Sequence, residues 1–110
     1  MLGAAHLKDI GTHFPDNDAA FKNIDSKILL KKTAELVASK GYKIENIDSI
    51  ICAQEPKMKP YIDEMQRTIA SILGIDEEDA SVKATTTEKL GFVGRKEGIA
   101  AHAVVLLSKE

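Results

Sequence analysis

The stretch Ile47-Asp48-Ser49-Ile50-Ile51-Cys52-Ala53 decides the fold. It is short, rich in β-branched side chains and apolar at its end, the pattern of a buried β-strand. The residues after it cannot extend it. Gln54 to Pro60 carries Pro56 and Pro60, and a proline offers no N–H to a ladder, whereas at the first helical position that loss costs nothing. Pro60 therefore opens a helix, in which Ile62, Met65, Ile69, Ile72 and Leu73 recur at helical spacing until Gly74 ends it. Upstream, Asp25 or Ser26 can cap a helix that places Leu29, Thr33, Leu36 and Val37 on one face, with Gly41 just past its end. Downstream, Asp76 to Asp79 is an acidic turn, and Ser81 to Thr87, rich in Val and Thr, reads as a second strand. Gly91 to Gly98 contains three glycines and reads as a loop, and Ile99 to Leu107 is a third strand. Its apolar residues stand at successive positions, which implies burial on both faces.

Met1 to Lys8 is apolar and helix-favouring with nothing ahead of it to cap a helix, so it reads as the last turns of one. Ile10 to Asn23 has no hydrophobic period and reads as a long loop. The order of elements implies an α/β (α+β) sandwich of two layers, an open sheet with helices on one face. With 110 residues, 44% hydrophobic and 29% charged, the chain fits a single domain over 1–110. Aromatic residues make up 5% and there is no Trp, so Ile, Leu, Val and Ala must fill the core. One layer of helices covers only one face of a sheet. A third strand apolar on both faces therefore points to packing against copies of the same chain.

A formal charge of -2, with no basic block, gives no footprint for nucleic acid. The single cysteine, Cys52, cannot form an internal disulfide and stands in an apolar run, which suits a reducing, cytoplasmic setting and a packing role. No apolar stretch is long enough to span a bilayer, and the first residues lack the pattern of a signal peptide. His6, His13 and His102 show no ligand spacing.

Chemistry-bearing residues gather at the ends of elements. Thr85, Thr86 and Thr87 are either β-favouring residues at a strand end or hydroxyls and N–H groups that hold phosphate oxygens, with Glu88 then a hard ligand for a divalent cation. The run from Gly91 to Gly98 matches neither the dinucleotide fingerprint nor the P-loop, and serves as a turn or turns Arg95 toward phosphate. No nucleophile and base pair stands out. The residues by themselves describe a small α/β domain with the means to bind phosphate.

Taken in order, Asp9-Ile10-Gly11, Phe14-Pro15-Asp16, Ala53-Gln54 with Pro56-Lys57-Met58, Thr85-Thr86-Thr87-Glu88-Lys89-Leu90-Gly91-Phe92, Gly94-Arg95 and Glu97-Gly98 resemble the signature of the 2-C-methyl-D-erythritol 2,4-cyclodiphosphate synthase family. The resemblance covers essentially the whole chain. It implies a lyase of isoprenoid biosynthesis by the non-mevalonate route. This enzyme converts 4-diphosphocytidyl-2-C-methyl-D-erythritol 2-phosphate to the 2,4-cyclodiphosphate and CMP, as a homotrimer with sites between subunits and an isoprenoid diphosphate as a possible ligand on the trimer axis. It further implies that Asp9, Ile10, Gly11, Phe14, Pro15, Asp16, Asn17 and Asp18 contact the erythritol and phosphate part of the substrate. Ala53, Gln54, Glu55, Pro56, Lys57, Met58 and Lys59 would form the cytosine pocket, largely through main-chain groups. Thr85, Thr86, Thr87 and Glu88 would meet the diphosphate, with Thr86 stabilising the transition state and Glu88 binding Mg²⁺ or Mn²⁺. Phe92 and Arg95 would complete the shell. Asn17 stands where the family often has Thr or Ser, and Glu55 where a smaller or basic residue is frequent. The family's zinc ligands, an Asp-x-His pair and a further His, would precede Met1. The expectation is therefore that the chain resembles the C-terminal two thirds of such an enzyme and turns over poorly by itself. The alternative is a catalytically silent domain that keeps cytidine binding and trimerisation.

Overall fold

The computed structural model describes every residue from Met1 to Glu110. The residues group into two compact units, Met1–Glu45 with Val105–Glu110, and Asn46–Val104. In chain order the elements are α1 (Ile10–His13), α2 (Ser26–Ser39), β1 (Tyr42–Cys52), α3 (Ile62–Leu73), β2 (Ala80–Thr85), α4 (Gly91–Gly94) and β3 (Ala100–Lys109). Single 3₁₀ turns stand at Ala19–Phe21, Lys59–Tyr61 and Glu77–Asp79. The strands form an open three-stranded sheet in the order β2–β1–β3, and with the helices this makes an α+β fold of the expected class.

In the first unit, Asp25 caps α2, its carboxylate accepting the Lys27 N–H at 2.9 Å. That bond, and then the Lys27 ammonium at 3.0 Å, holds the Asp25 carboxyl below its ordinary value. Thr33 and Val37, one turn apart, are the buried residues of α2, and Val37 is wholly enclosed. Gly41 follows the helix at φ 85°, a left-handed conformation that glycine adopts without steric cost. β1 starts immediately, at Tyr42 rather than Ile47, because Tyr42 to Glu45 has a strand partner. The Glu110 N–H donates to Gly41 C=O at 2.8 Å, Lys109 lies over the Tyr42 ring, and the Ser108 hydroxyl donates to Glu45 at 2.6 Å. Partners fall in number as β1 rises, the order of an antiparallel pair.

Met1 to Lys8 is a set of turns and not the end of a helix. The Ala5 N–H reaches Met1 C=O at 3.2 Å, but His6 and Lys8 sit at φ 58° and 68°, which ends any helical run. Leu2 and Ala5 are nevertheless buried. Ile10 to Asn23 is irregular apart from α1 and one 3₁₀ turn, each capped by an aspartate, Asp9 and Asp18.

In the second unit, β1 and β2 pair in parallel, from Ile47 opposite Ala80 to Cys52 opposite Thr85. β2 stops at Thr85, two residues earlier than its composition suggests, because β1 has run out. α3 packs along β2 and ends at Gly74, φ 68°. Ala70, Ala80, Val82, Val93 and Ala53 are buried here, so small aliphatic side chains fill the space between helix and strand. The Gln66 Oε1 accepts the Val82 N–H at 3.2 Å on the strand's unpaired side. Across the strands Lys83 meets Asp48 at 2.9 Å and the Ser49 hydroxyl donates to Ser81 C=O at 2.9 Å. The hydrogen bond from Lys83 is the main reason the Asp48 carboxyl lies below its usual range.

The third strand departs from its expected burial. Val104 is 75% exposed and Leu106 57%. β3 has β1 on one side, and within the single chain Val104 and Leu106 are left in solvent while Val105 and Leu107, on the opposite face, are partly covered.

Candidate functional site

The parallel ladder ends with the Ala53 N–H donating to Thr85 C=O at 3.0 Å. Parallel strands leave their carboxyl ends open to whatever the following loops build. Here the two chains diverge and a cleft of about 250 Å³ opens between them. One wall comes from Ala53, Gln54 and the run Pro56 to Lys59, the other from Ala84, Thr85 and Thr86. The lining is mostly apolar, and Lys57 and Lys59 are among its residues. Ala84 was not singled out in the sequence, where nothing distinguishes it from any strand alanine. Glu55 turns away from the cleft and pairs with Lys96 at 3.0 Å, and the bond between Glu55 and Pro56 is cis.

Beyond the cleft wall the chain makes a tight turn. The Thr85 hydroxyl donates to Thr86 C=O at 3.1 Å, and the Thr86 Oγ1 lies 3.4 Å from the Glu88 N–H. The Thr87 hydroxyl donates to Leu90 C=O at 2.7 Å, while the Leu90 N–H returns to Thr87 C=O at 3.0 Å, so Thr87 is committed to the turn itself. Glu88 and Lys89 are both left-handed, at φ 53° and 64°. Each such residue costs roughly 1–2 kcal/mol, and strain of this kind persists only where neighbours hold it. Two contacts hold it here. The Gln54 Oε1 accepts the Lys89 N–H at 3.2 Å, and Gly94 presses its backbone against Lys89, where a Cβ would stand 2.1 Å from the Lys89 carbonyl carbon. Gly94 lies in α4, a helical turn inside the stretch expected to be a loop. The Glu88 side chain is exposed. Phe92 is about half exposed, and Arg95 forks onto Glu97 at 2.9 and 3.3 Å.

The residues from Asp9 to Asp18 belong to the first unit. Asp9 caps α1, accepting the Thr12 hydroxyl at 2.7 Å and the Thr12 N–H at 3.0 Å. Those two bonds hold its carboxyl below the ordinary carboxylate value, the hydroxyl more than the amide. Ile10 and Gly11 are exposed within α1, and Asp16, Asn17 and Asp18 are exposed beyond it. Phe14 is half-buried, edge-on to Phe21 with ring centroids 5.4 Å apart. His13 bonds to Leu7 C=O at 2.6 Å. His13 and Phe14 border a second hollow, of about 430 Å³, with Lys32, Glu35, Leu36 and Ser39 of α2.

No three His, Cys, Asp or Glu side chains come together in a group that could hold a metal ion. Glu88 alone suits a cation that takes one protein carboxylate and completes its shell with phosphate and water, as Mg²⁺ does. No helix is long and apolar enough to cross a membrane.

Comparison with known proteins places these features in a wider set. The profile of the YgbB family matches residues 1–108. The 2-C-methyl-D-erythritol 2,4-cyclodiphosphate synthase of Bacteroides thetaiotaomicron is 63% identical over 110 residues, which span 100% of this chain and 69% of that protein. Among solved structures, the bifunctional IspDF of Campylobacter jejuni superposes with a TM-score of 0.94 at 50% identity, over 99% of this chain and 30% of that one. The CDP complex of IspF from Plasmodium falciparum gives 0.84 at 38% identity, over 99% of this chain and 65% of its own.

Proposed function

This chain belongs to the YgbB family, the family of the 2-C-methyl-D-erythritol 2,4-cyclodiphosphate synthases, and from that premise we propose that it carries the cytidine and diphosphate half of such an enzyme's site. The reaction is the cyclisation of 4-diphosphocytidyl-2-C-methyl-D-erythritol 2-phosphate with release of CMP. The observation that carries the reading is the cleft at the end of the β1–β2 ladder. Its two walls, Ala53, Gln54 and Pro56 to Lys59 on one side and Ala84 to Thr86 on the other, hold motifs that mark the family, and a mostly apolar cleft with polar groups at its edge suits a flat base.

An oxygen of the 2-phosphate attacks the β-phosphorus. One P–O bond forms, the P–O bond to the CMP oxygen breaks, and its electron pair leaves with CMP. No covalent intermediate on the protein is needed. The work is to align the attacking oxygen and to neutralise charge. The cleft holds the leaving CMP. Thr86 lies at its edge with its hydroxyl hydrogen free to donate, and a donor aimed at developing charge contributes most in the transition state. Glu88 would hold Mg²⁺ or Mn²⁺, which supplies charge neutralisation to the phosphates. Phe92 and Arg95 would complete the substrate shell on this unit, and the further zinc of the family reading has no ligand group among these residues.

Calorimetric titration with CDP and Mg²⁺ tests the cleft. Binding in the millimolar range or tighter, about 4 kcal/mol or more of free energy, is the expected result. No heat at millimolar CDP with folded protein would remove the cleft from the reading. The exposed face of β3 supports the homotrimer, since Val104 and Leu106 in solvent are the kind of surface that a second copy covers. Light scattering at micromolar concentration is expected to give a trimer. A monodisperse, folded monomer would sink that part, and with it any isoprenoid diphosphate on the trimer axis.

A further inference from the structure

One hydrogen bond joins the strand end that begins the cleft to the turn that bears Glu88. Gln54 is the first residue past the last rung of the β1–β2 ladder and is half-buried. Its side-chain oxygen accepts the Lys89 N–H at 3.2 Å, across 35 residues of chain. The Thr87–Leu90 bonds fix the two ends of the turn, but between them the Glu88 N–H has only the 3.4 Å contact to Thr86 Oγ1, and the Lys89 N–H is held by Gln54. Lys89 is the second of two consecutive left-handed residues, so releasing its amide frees the pair to relax into commoner backbone conformations. The Glu88 carboxylate would then move with them.

We infer that Gln54 is a positioning residue, whose side-chain carbonyl pins the Lys89 amide and so fixes the direction in which Glu88 presents its carboxylate to a divalent cation. Gln54 also lines the cleft, and the positioning role is additional to that one. The inference rests on the reading of Glu88 as the cation's ligand. It makes the Glu88 turn depend on a residue that belongs to the other wall of the cleft.

Two substitutions separate the roles. Gln54→Met keeps the length and bulk of the side chain and removes the acceptor; Gln54→Glu restores an acceptor oxygen at the same reach. The readouts are hydrogen exchange at the Lys89 amide in the free chain, Mn²⁺ affinity by paramagnetic relaxation with CDP present, and CDP affinity by calorimetry. Partners that orient a metal's ligand typically alter its affinity about 10- to 100-fold. Gln54→Met is therefore expected to speed Lys89 exchange and weaken Mn²⁺ within that range, while the melting temperature stays close to that of the parent. Gln54→Glu is read on Lys89 exchange alone, since its charge itself attracts a cation, and is expected to restore protection.

Unchanged Lys89 exchange or unchanged Mn²⁺ affinity in Gln54→Met would overturn the inference while leaving the cleft intact. Parallel loss of CDP, Mn²⁺ and thermal stability would overturn it in favour of general packing. A wild-type chain that binds CDP without Mn²⁺, or binds neither, would show that the underlying reading of Glu88 fails, and the inference falls with it.

Discussion

Gly94→Ala is expected to be the most damaging small substitution in the chain, lowering stability by about 3 kcal/mol or more and weakening CDP binding at the proposed cleft. The new Cβ would stand 2.1 Å from the Lys89 carbonyl carbon and 2.6 Å from its Cα. Both are backbone atoms that no rotamer change can withdraw. Overpacking ordinarily costs about 1–3 kcal/mol, and the upper end applies when the obstacle is backbone. For a domain of this size that is a fall in Tm of about 10 °C or more. The turn from Thr86 to Leu90 must shift, and CDP binding should weaken with it. Gly3→Ala is the control, because an added Cβ there meets nothing within 4 Å and should change stability by no more than about 0.5 kcal/mol. A Gly94→Ala protein that melts within 2 °C or so of the parent, on the same scale, and binds CDP normally would refute the close approach.

The other large effect is expected at Glu88, and it falls on metal rather than on folding. Glu88 is exposed and none of its side-chain atoms enters the turn's hydrogen bonds, which use the Glu88 main chain and the Thr86 and Thr87 hydroxyls. Glu88→Gln should therefore leave Tm almost unchanged. It replaces a charged hard-oxygen ligand by a neutral amide, a much poorer partner for Mg²⁺ or Mn²⁺. The loss of Mn²⁺ affinity in the presence of CDP should reach about 100-fold, at or above the top of the range for residues that merely orient a ligand. Turnover in the complete enzyme should fall with it and recover in part at high Mg²⁺. An unaltered metal titration would exclude Glu88 from the site.

These expectations draw unequally on sequence and structure. The helix from Ile62 to Leu73 and its glycine stop were legible because a 3.6-residue period and a left-handed cap are local properties. The cap was legible to within one residue, Asp25 or Ser26, for the same reason, and the structure gives it to Asp25. The start of β1 at Tyr42 was not, since Tyr42 to Glu45 is charged and alternating, and its strand partner is supplied by Ser108 to Glu110, more than half the chain away. Likewise Met1 to Lys8 has helical composition, and the left-handed His6 and Lys8 leave no compositional trace. In the candidate site, Thr85 to Glu88 and Ala53 to Lys59 could be picked out as clusters, and the family resemblance rested on their order. That Gly94 braces Lys89, or that the Gln54 side chain crosses to its amide, depends on two loops meeting, which no spacing in the sequence encodes.

The side-chain oxygen of Gln66 on the Val82 amide has a consequence for the life of the chain before it meets any partner. A newly made sheet has two rims, and each can template the addition of a foreign strand. Along β3 the rim is ten residues long, and the face beside it leaves Val104 and Leu106 uncovered. Along β2 it is only six residues long, carries Lys83, and has one amide already occupied by Gln66. A wandering strand thus finds little to grip on that side, and the sticky surface is confined to the other. Growth into fibres needs two welcoming rims on every molecule, and this sheet offers one.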